Sequence, residues 1–288
     1  MKVLGIDIGG TKVRMGIVDS DFKVHLDQQV PTTFPLYDML EKEILAILDE
    51  HPDVERIGIG THGFVDSKKG RVVYATELLP GWSGTEVKKQ LEQATGRKVE
   101  VDNDANVAAL AEAKAGVAKD YNRTVCLTLG TGLGGGVILD DYVVSGGPNG
   151  GAAELGHMIL YPNGQPCPCG HHGCFEQYVS GTALKRRIKE SGLSYTPREL
   201  FIQADHDPKA QQLIKEFTSD LAVIISTLQA VFDMEVVVIG GGVSESADKW
   251  FGLLEEQLEN HLLNPIDVKI AQFGNEAGML GAALLVLK

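Results

Sequence analysis

The sequence predicts an α/β protein built from two duplicated halves, and three observations carry that prediction. The opening pattern of strand, glycine turn and strand (LGIDIGGTKVRMGIVD, residues 4–19) returns about 120 residues later as CLTLGTGLGGGVILDD (126–141). Strand-like and helix-like apolar periods alternate along the chain, the signature of α/β units. At 288 residues the chain is long enough for about two domains, and no low-complexity linker separates them. Two lobes packed closely around a cleft are expected.

Element by element, Val3–Ile8 and Val13–Val18 read as strands around Gly9-Gly10. Apolar spacing from Met39 to Leu48 is helical. Arg56–Gly60 reads as a buried strand, Val87–Ala94 as a short helix, Val99–Val101 as a strand and the Ala-rich Ala105–Gly116 as a helix. Thr124–Leu129 is a strand, Gly130–Gly136 a glycine turn and Val137–Leu139 the returning strand. A long helix (Pro208–Phe232), a strand (Glu235–Ile239), a third glycine cluster and a final helix (Asn275–Leu287) close the chain.

Composition narrows the function. Lys and Arg total 26 against 39 Asp and Glu, a net charge of −13. A nucleic-acid-binding face is not expected, because phosphate contacts need a basic surface. The most apolar stretch, Leu221–Phe232, is too short to span a bilayer of about 20 helical residues, and Asp7 interrupts the N-terminal apolar run before a signal sequence could form. Three of the four Cys fall within residues 167–174, which reads as metal chemistry in a reducing cytoplasm rather than a disulfide scaffold.

The 34 Gly residues cluster after strands, where a bare backbone can approach phosphate and present N–H groups. Gly130-Thr131-Gly132-Leu133-Gly134-Gly135 matches G-x-G-x-x-G, but a strand follows it, not the helix of a dinucleotide site. Protein-kinase H-R-D and D-F-G segments are absent, and Gly10-Thr11-Lys12 lacks P-loop order. Two phosphate-gripping hairpins remain, one per half. Asp7 could hold a metal-bound water near them, or be an ordinary turn residue. Lys12 could meet phosphate or only solvent. Gly240-Gly241-Gly242 precedes Ser244-Glu245, a plausible helix cap; the turn could receive adenosine or phosphate, or simply link strand to helix.

Asp102-Asn103-Asp104 ends a strand and opens the Ala-rich helix. A helix N-terminus favours an ionised carboxylate, and Asp104 could accept a hydroxyl proton as a kinase base does; N-capping is the alternative. His157, Cys167, Cys169 and Cys174 give H-x9-C-x-C-x4-C with Pro and Gly between, a full tetrahedral zinc set and a structural one. Reduced, metal-free Cys is the other reading. His171 and His172 read as exposed or reserve ligands, and Cys126 as core. Such a knuckle would draw Glu154 and Glu176 together, and carboxylates accept hydrogen bonds from sugar hydroxyls well.

Taken together, IDIGGTK, GIGTHGFVD, VDNDAN, LGTGLGGG, AAELGH, CPCGHHGCFE, VIGGGVS and NEAGMLGAA resemble the ROK family of repressors and sugar kinases across essentially the whole chain. The resemblance implies the actin-like, ribonuclease-H-like fold. It implies residues 1–118 with a C-terminal helix near 275–288 as the sugar and phosphate lobe, and 119–274 as the lobe with zinc, ATP and a dimer contact. It implies ATP-dependent, Mg²⁺-assisted phosphorylation of a hexose C6 hydroxyl by a homodimer. Asp104 becomes the general base, and Gly63, Asn103, Glu154, His157 and Glu176 sugar contacts. ATP falls against Asp7, Gly9, Gly10, Thr11 and Lys12, against Gly130, Thr131 and Gly132, and against Gly240, Gly241 and Gly242. His157 would bind structural zinc with one ring nitrogen and sugar with the other.

Two departures stand out. His62 occupies a position where relatives often have Pro. Leu78-Leu79 precede Pro80-Gly81-Trp82 where many glucose kinases have Asn-Leu, so Glu77 or Ser83 would have to replace a sugar-contacting Asn. Glucose and N-acetylmannosamine lead among sugars. A repressor would carry an N-terminal helix-turn-helix, whereas here the phosphate motif begins by residue 5. A non-catalytic actin-like ATPase, or a kinase for anionic substrates, would not need the sugar-facing acids.

Overall fold

The structure, a computed structural model, describes residues 1–287. In chain order the strands are β1 (Lys2–Ile8), β2 (Lys12–Asp19), β3 (Val24–Pro31), β4 (Val54–Thr61), β5 (Phe64–Asp66), β6 (Arg71–Tyr74), β7 (Lys98–Asn103), β8 (Arg123–Leu129), β9 (Leu133–Leu139), β10 (Tyr142–Val143), β11 (Val236–Gly240) and β12 (Asp267–Ile270). The helices are α1 (Leu36–Glu50), α2 (Val87–Thr95), α3 (Asp104–Lys114), α4 (Glu176–Val179), α5 (Gly181–Glu190), α6 (Pro197–Gln203), α7 (Pro208–Phe232), α8 (Phe251–Leu258) and α9 (Ala277–Leu284). The chain divides into two compact units. One comprises residues 1–119, 136–153 and 275 onward; the other comprises 120–135 and 154–274.

The first sheet runs β3-β2-β1-β4-β7 and the second β10-β9-β8-β11-β12, the same order twice. In the first, β1 pairs antiparallel with β2 and parallel with β4, and β4 is parallel to β7. In the second, β8, β11 and β12 are parallel. Parallel central strands are covered on both faces, so the middle residues of β1, β4, β8 and β11 are buried in unbroken runs. Edge strands β3 and β12 are half-exposed and carry weaker patterns.

Glycines set the packing of the first unit. A Cβ on Gly5 would collide with Met279 O, on Gly58 with Ala282 O, and on Gly281 with Val107 O. Helix α9 therefore lies directly on the β1 and β4 backbone on one side and on α3 on the other. Arg14 fixes its start: the buried guanidinium donates to Asp27 Oδ1 and Oδ2 at 2.8 and 2.5 Å, to Asn275 O at 3.0 Å and to Glu276 Oε1 at 3.0 Å.

Three sequence expectations need correction. Gly134–Gly136 lie inside β9, not in a turn, because a Cβ on Gly136 would meet Ala109 Cβ at 2.5 Å and Ala105 O at 2.8 Å, so strand and helix touch there. The final helix starts at Ala277 after a 3-10 turn at Gly274–Glu276 and ends at Leu284. Ser244 does not cap a helix; its hydroxyl donates to Gly241 O at 2.7 Å inside a 3-10 segment that begins at Gly242.

Gly281→Ala is expected to destabilise the protein by about 3 kcal/mol, since the obstructing Val107 carbonyl is backbone and cannot swing aside. Gly252→Ala, on exposed helix α8 with nothing within 4 Å, is expected to gain about 0.5 kcal/mol. Thermal midpoints of the two variants check this; equal shifts would show that α9 packs more loosely.

Candidate functional site

Each unit carries its own set of the expected residues. In the first, the β1–β2 hairpin is closed by Gly9 N–H donating to Lys12 O at 3.0 Å, and Thr32 Oγ1 donates to Gly9 O at 2.8 Å. Gly9 and Gly10 are half-buried; Thr11 and Lys12 are exposed. Asp7, at the end of β1, packs against Gly278, where any Cβ would strike its carboxylate. Burial, then repulsion from Asp104, pushes the Asp7 carboxyl up to about 6, against the opposing pull of Lys12 and Arg14.

The β7–α3 junction resolves which Asp or Asn caps the helix. Asn103 is the N-cap: its Oδ1 accepts from Ala105 N at 2.8 Å and Asn106 N at 3.3 Å, while its Nδ2 donates to Gly63 O at 3.0 Å. Gly63 has φ +112 and sits against Tyr74 O, so only glycine fits. Asp104 is thereby relieved of capping. Its Oδ1 accepts Ala105 N–H at 2.9 Å and its side chain stays about a third exposed. Buried Asp102, given no role in the sequence reading, supports the turn by accepting from Asn103 N at 2.7 Å and Asn106 Nδ2 at 3.0 Å; burial raises its carboxyl above the usual range. The D-x-x-x-N spacing across a strand-to-helix junction was the available signal.

Ser83 is held by the backbone of Ala75. Its Oγ accepts from Ala75 N at 2.9 Å and donates to Ala75 O at 3.2 Å, while Glu77 is exposed.

In the second unit, the two remaining glycine clusters meet at the ends of parallel strands β8 and β11. Gly240 pairs with Thr128. Gly241, at φ +84, lies against Leu129 O, where a Cβ would approach to 2.6 Å. Gly181 N and Thr182 N, opening α5, donate to Gly130 O at 2.8 Å and Thr131 O at 3.3 Å. Glu176 borders the same loop: Leu133 N donates to its Oε2 at 3.4 Å, and a Cβ on Gly132 would strike it.

The other Glu176 oxygen, Oε1, lies 3.5 Å from Cys167 Sγ, which joins the loop to the cysteine cluster. One ligand atom each from His157, Cys167, Cys169 and Cys174 falls within 4.8 Å of the others. The Cys169–Cys174 sulfur separation is 3.6 Å, and Cys167 Sγ lies 3.7 Å from His157 Nδ1. Zn–S bonds of about 2.3 Å in a tetrahedron require S···S edges near 3.8 Å, so the donor set and spacing fit zinc. Burial pushes the Cys167 thiol to about 12 and raises Cys174, so both stay protonated at neutral pH unless a bound cation displaces the proton. Positive-φ Gly170 and Gly173 shape the knuckle. His157 would ligate through Nδ1, leaving Nε2 for another partner. Glu154 stands on the same turn, its carbonyl accepting His157 N–H at 3.1 Å. Exposed His171 has Nδ1 3.7 Å from Cys169 Sγ, and Cys126 is buried in β8. Among the described residues, no helix is long and apolar enough to cross a membrane.

Two α/β units with one strand order, each ending its first hairpin in a glycine loop, define the actin-like ATPase class of fold. The ROK family profile matches residues 3–288, and the chain belongs to that family. A glucokinase of Streptomyces coelicolor is 33% identical over 307 residues, covering 97% of this chain and 96% of its own. An N-acetyl-D-glucosamine kinase of Yersinia pseudotuberculosis is 33% identical over 303 residues, covering 98% of each. Among solved structures, a ROK hexokinase from Thermus thermophilus is 36% identical with a TM-score of 0.88, covering 99% of this chain and 97% of its own. A ROK-family glucokinase from Streptomyces griseus, solved with glucose and AMPPNP, is 32% identical with a TM-score of 0.80 and covers 99% of both chains.

Asp7 makes stability depend on pH. Its carboxyl titrates near 6 in the folded protein and near 3.9 unfolded, so the native state holds the extra proton between those values and stability falls as pH rises through them. Asp7→Asn is expected to raise the thermal midpoint in metal-free buffer at pH 7.5, with the gain vanishing below about pH 4. A gain independent of pH would remove the electrostatic explanation.

Proposed function

We propose that this chain transfers the γ-phosphoryl group of Mg-ATP to the C6 hydroxyl of a neutral hexose or N-acetylhexosamine, with Asp104 as the proton acceptor. The observation that carries the reading is the division of labour at the β7–α3 junction: Asn103 caps the helix and leaves the Asp104 carboxylate to the solvent side. In this reading the sugar-contacting residues are Gly63, Asn103, Asp104, Glu154, His157 and Glu176. As the C6 oxygen attacks, Asp104 takes its proton, and the loops Gly9–Lys12, Gly130–Gly132 and Gly240–Gly242 bind the phosphates and adenosine. Mg²⁺, when bound, neutralises phosphate charge, and Asp7 is the carboxylate that would hold its water shell. Zinc on His157, Cys167, Cys169 and Cys174 is structural and holds Glu176 beside the loop. Glucose and N-acetylmannosamine are the leading substrates, and relatives named glucokinase and N-acetyl-D-glucosamine kinase support a hexose kinase. We infer a homodimer working in the cytoplasm.

ADP release from Mg-ATP is expected to require sugar, in a panel of hexoses and N-acetylhexosamines. Asp104→Asn should lower kcat by about 10³-fold while changing sugar affinity by no more than about threefold. Sugar-independent ADP release, or wild-type turnover by Asp104→Asn, would overturn the reading.

Purified protein should hold one zinc per chain by elemental analysis. Cys169→Ser should lower zinc content and weaken sugar binding together. Full zinc retention by that variant would remove Cys169 from the ligand set.

A further inference from the structure

Asp104 faces a side chain that the reaction as described leaves without a task. His62 directly follows β4, and its backbone N–H donates to Ile8 O at 3.3 Å, which fixes it beside the turn that carries Asp7. Its ring bridges two groups. Nε2 lies 3.2 Å from Thr76 Oγ1, and Nδ1 faces Asp104 Oδ2 at 3.8 Å. Thr76 Oγ1 also accepts Leu78 N–H at 3.4 Å, which leaves its own hydrogen free to point at the ring. When Nε2 accepts that hydrogen, the ring proton sits on Nδ1 and points at Asp104. The other Asp104 oxygen, Oδ1, already accepts Ala105 N–H. One carboxylate oxygen is thus hydrogen-bonded and the other lies within ion-pair range of the ring, and each keeps a lone pair for a substrate hydroxyl.

We propose that His62 is a positioning residue for phosphoryl transfer: with its tautomer set by Thr76, its Nδ1–H orients Asp104 Oδ2 toward the attacking hydroxyl. The inference rests on the reading of Asp104 as the proton acceptor. The charged group that the ring faces is Asp104 of α3, which is coupled in turn to Asp7 of β1, itself acted on by Lys12 and Arg14 of β2; the segment after β6 contributes the neutral Thr76.

Two substitutions separate the ring's halves. The amide nitrogen of Asn can stand near the position of Nδ1, and that of Gln near the position of Nε2. His62→Asn is expected to lose about threefold in kcat and His62→Gln about tenfold or more, with sugar KM within about twofold of wild type in both. In the full-length protein, the pH midpoint of the His62 imidazole resonances is expected to fall on Asp104→Asn, because a neighbouring carboxylate favours the protonated ring. The reverse order, Gln active and Asn impaired, would make His62 a strut for Thr76 and overturn the proposal. A raised sugar KM with kcat retained would make it a substrate contact and overturn it as well. An unmoved imidazole midpoint would show that the pair does not form. Wild-type turnover by Asp104→Asn would instead end the parent reading; the two failures are distinguishable because the imidazole midpoint does not depend on turnover.

Discussion

The first unit depends on the contact between helix α9 and backbone that carries no side chains. Gly5 and Gly58 strip the β1–β4 surface, and Gly281 strips the helix where it meets Val107 O of α3. Interiors pack at crystal-like density, so one added methyl at such a contact must displace a main chain. The same helix bounds the chemistry. Gly278 makes room for the Asp7 carboxylate, and α3, which α9 supports from behind, carries Asp104 at its first turn. Residues 7 and 104 are therefore positioned by a segment that begins at residue 275, and Arg14 ties that segment down by bonding both Asn275 O and Glu276.

Both units keep groups where ionisation without a partner is unfavourable. Asp7 is held protonated to about pH 6 by burial and by Asp104. Cys167 and Cys174 are held as thiols by burial, with three sulfurs and an imidazole converging. At neutral pH the burial of Asp7 costs stability, and perturbed groups of this kind gather at functional sites. The donor types differ in a telling way. Oxygen at Asp7 suits a hard cation beside phosphate, whereas the NS₃ set suits zinc and leaves no open position for catalysis. In the proposed reaction the metal chemistry therefore divides into assistance at Asp7 and scaffolding at the cysteine cluster.

Much of this was legible in the sequence because glycine clusters after apolar strands have few alternative uses. The duplicated hairpins, the 25 residues of α7 from Pro208 to Phe232 and the His/Cys spacing could all be read directly. What escaped was set by tertiary contact. Gly134–Gly136 look like a turn in sequence, yet they are strand because helix α3 needs bare backbone against it. Edge strand β3 presents one half-buried face, too weak a pattern to separate from a loop. Whether Asn103 or Asp104 caps α3 depends on which side chain folds back over the first turn, and adjacent residues of similar capping preference conceal that choice. Ser83 looked free until its hydroxyl was found bonded in both directions to Ala75.

The glycines themselves divide by what lies where a side chain would be. At Gly132 and Gly240 the space beside the backbone is taken by the Glu176 carboxylate and the Ala271 Cβ, and at Gly241 by Leu129 backbone, where the positive φ also calls for glycine. At Gly130 and Gly242 nothing lies within 4 Å, and neither has a positive φ that would demand glycine. No internal contact accounts for the missing side chain at these two positions. Both flank the closed glycines at the ends of β8 and β11, where loop amides end a parallel sheet. Open space beside bare backbone is what a phosphate or an adenine ring requires, so in the proposed reaction Gly130 and Gly242 are the glycines that face the nucleotide, while their neighbours hold the loop in shape.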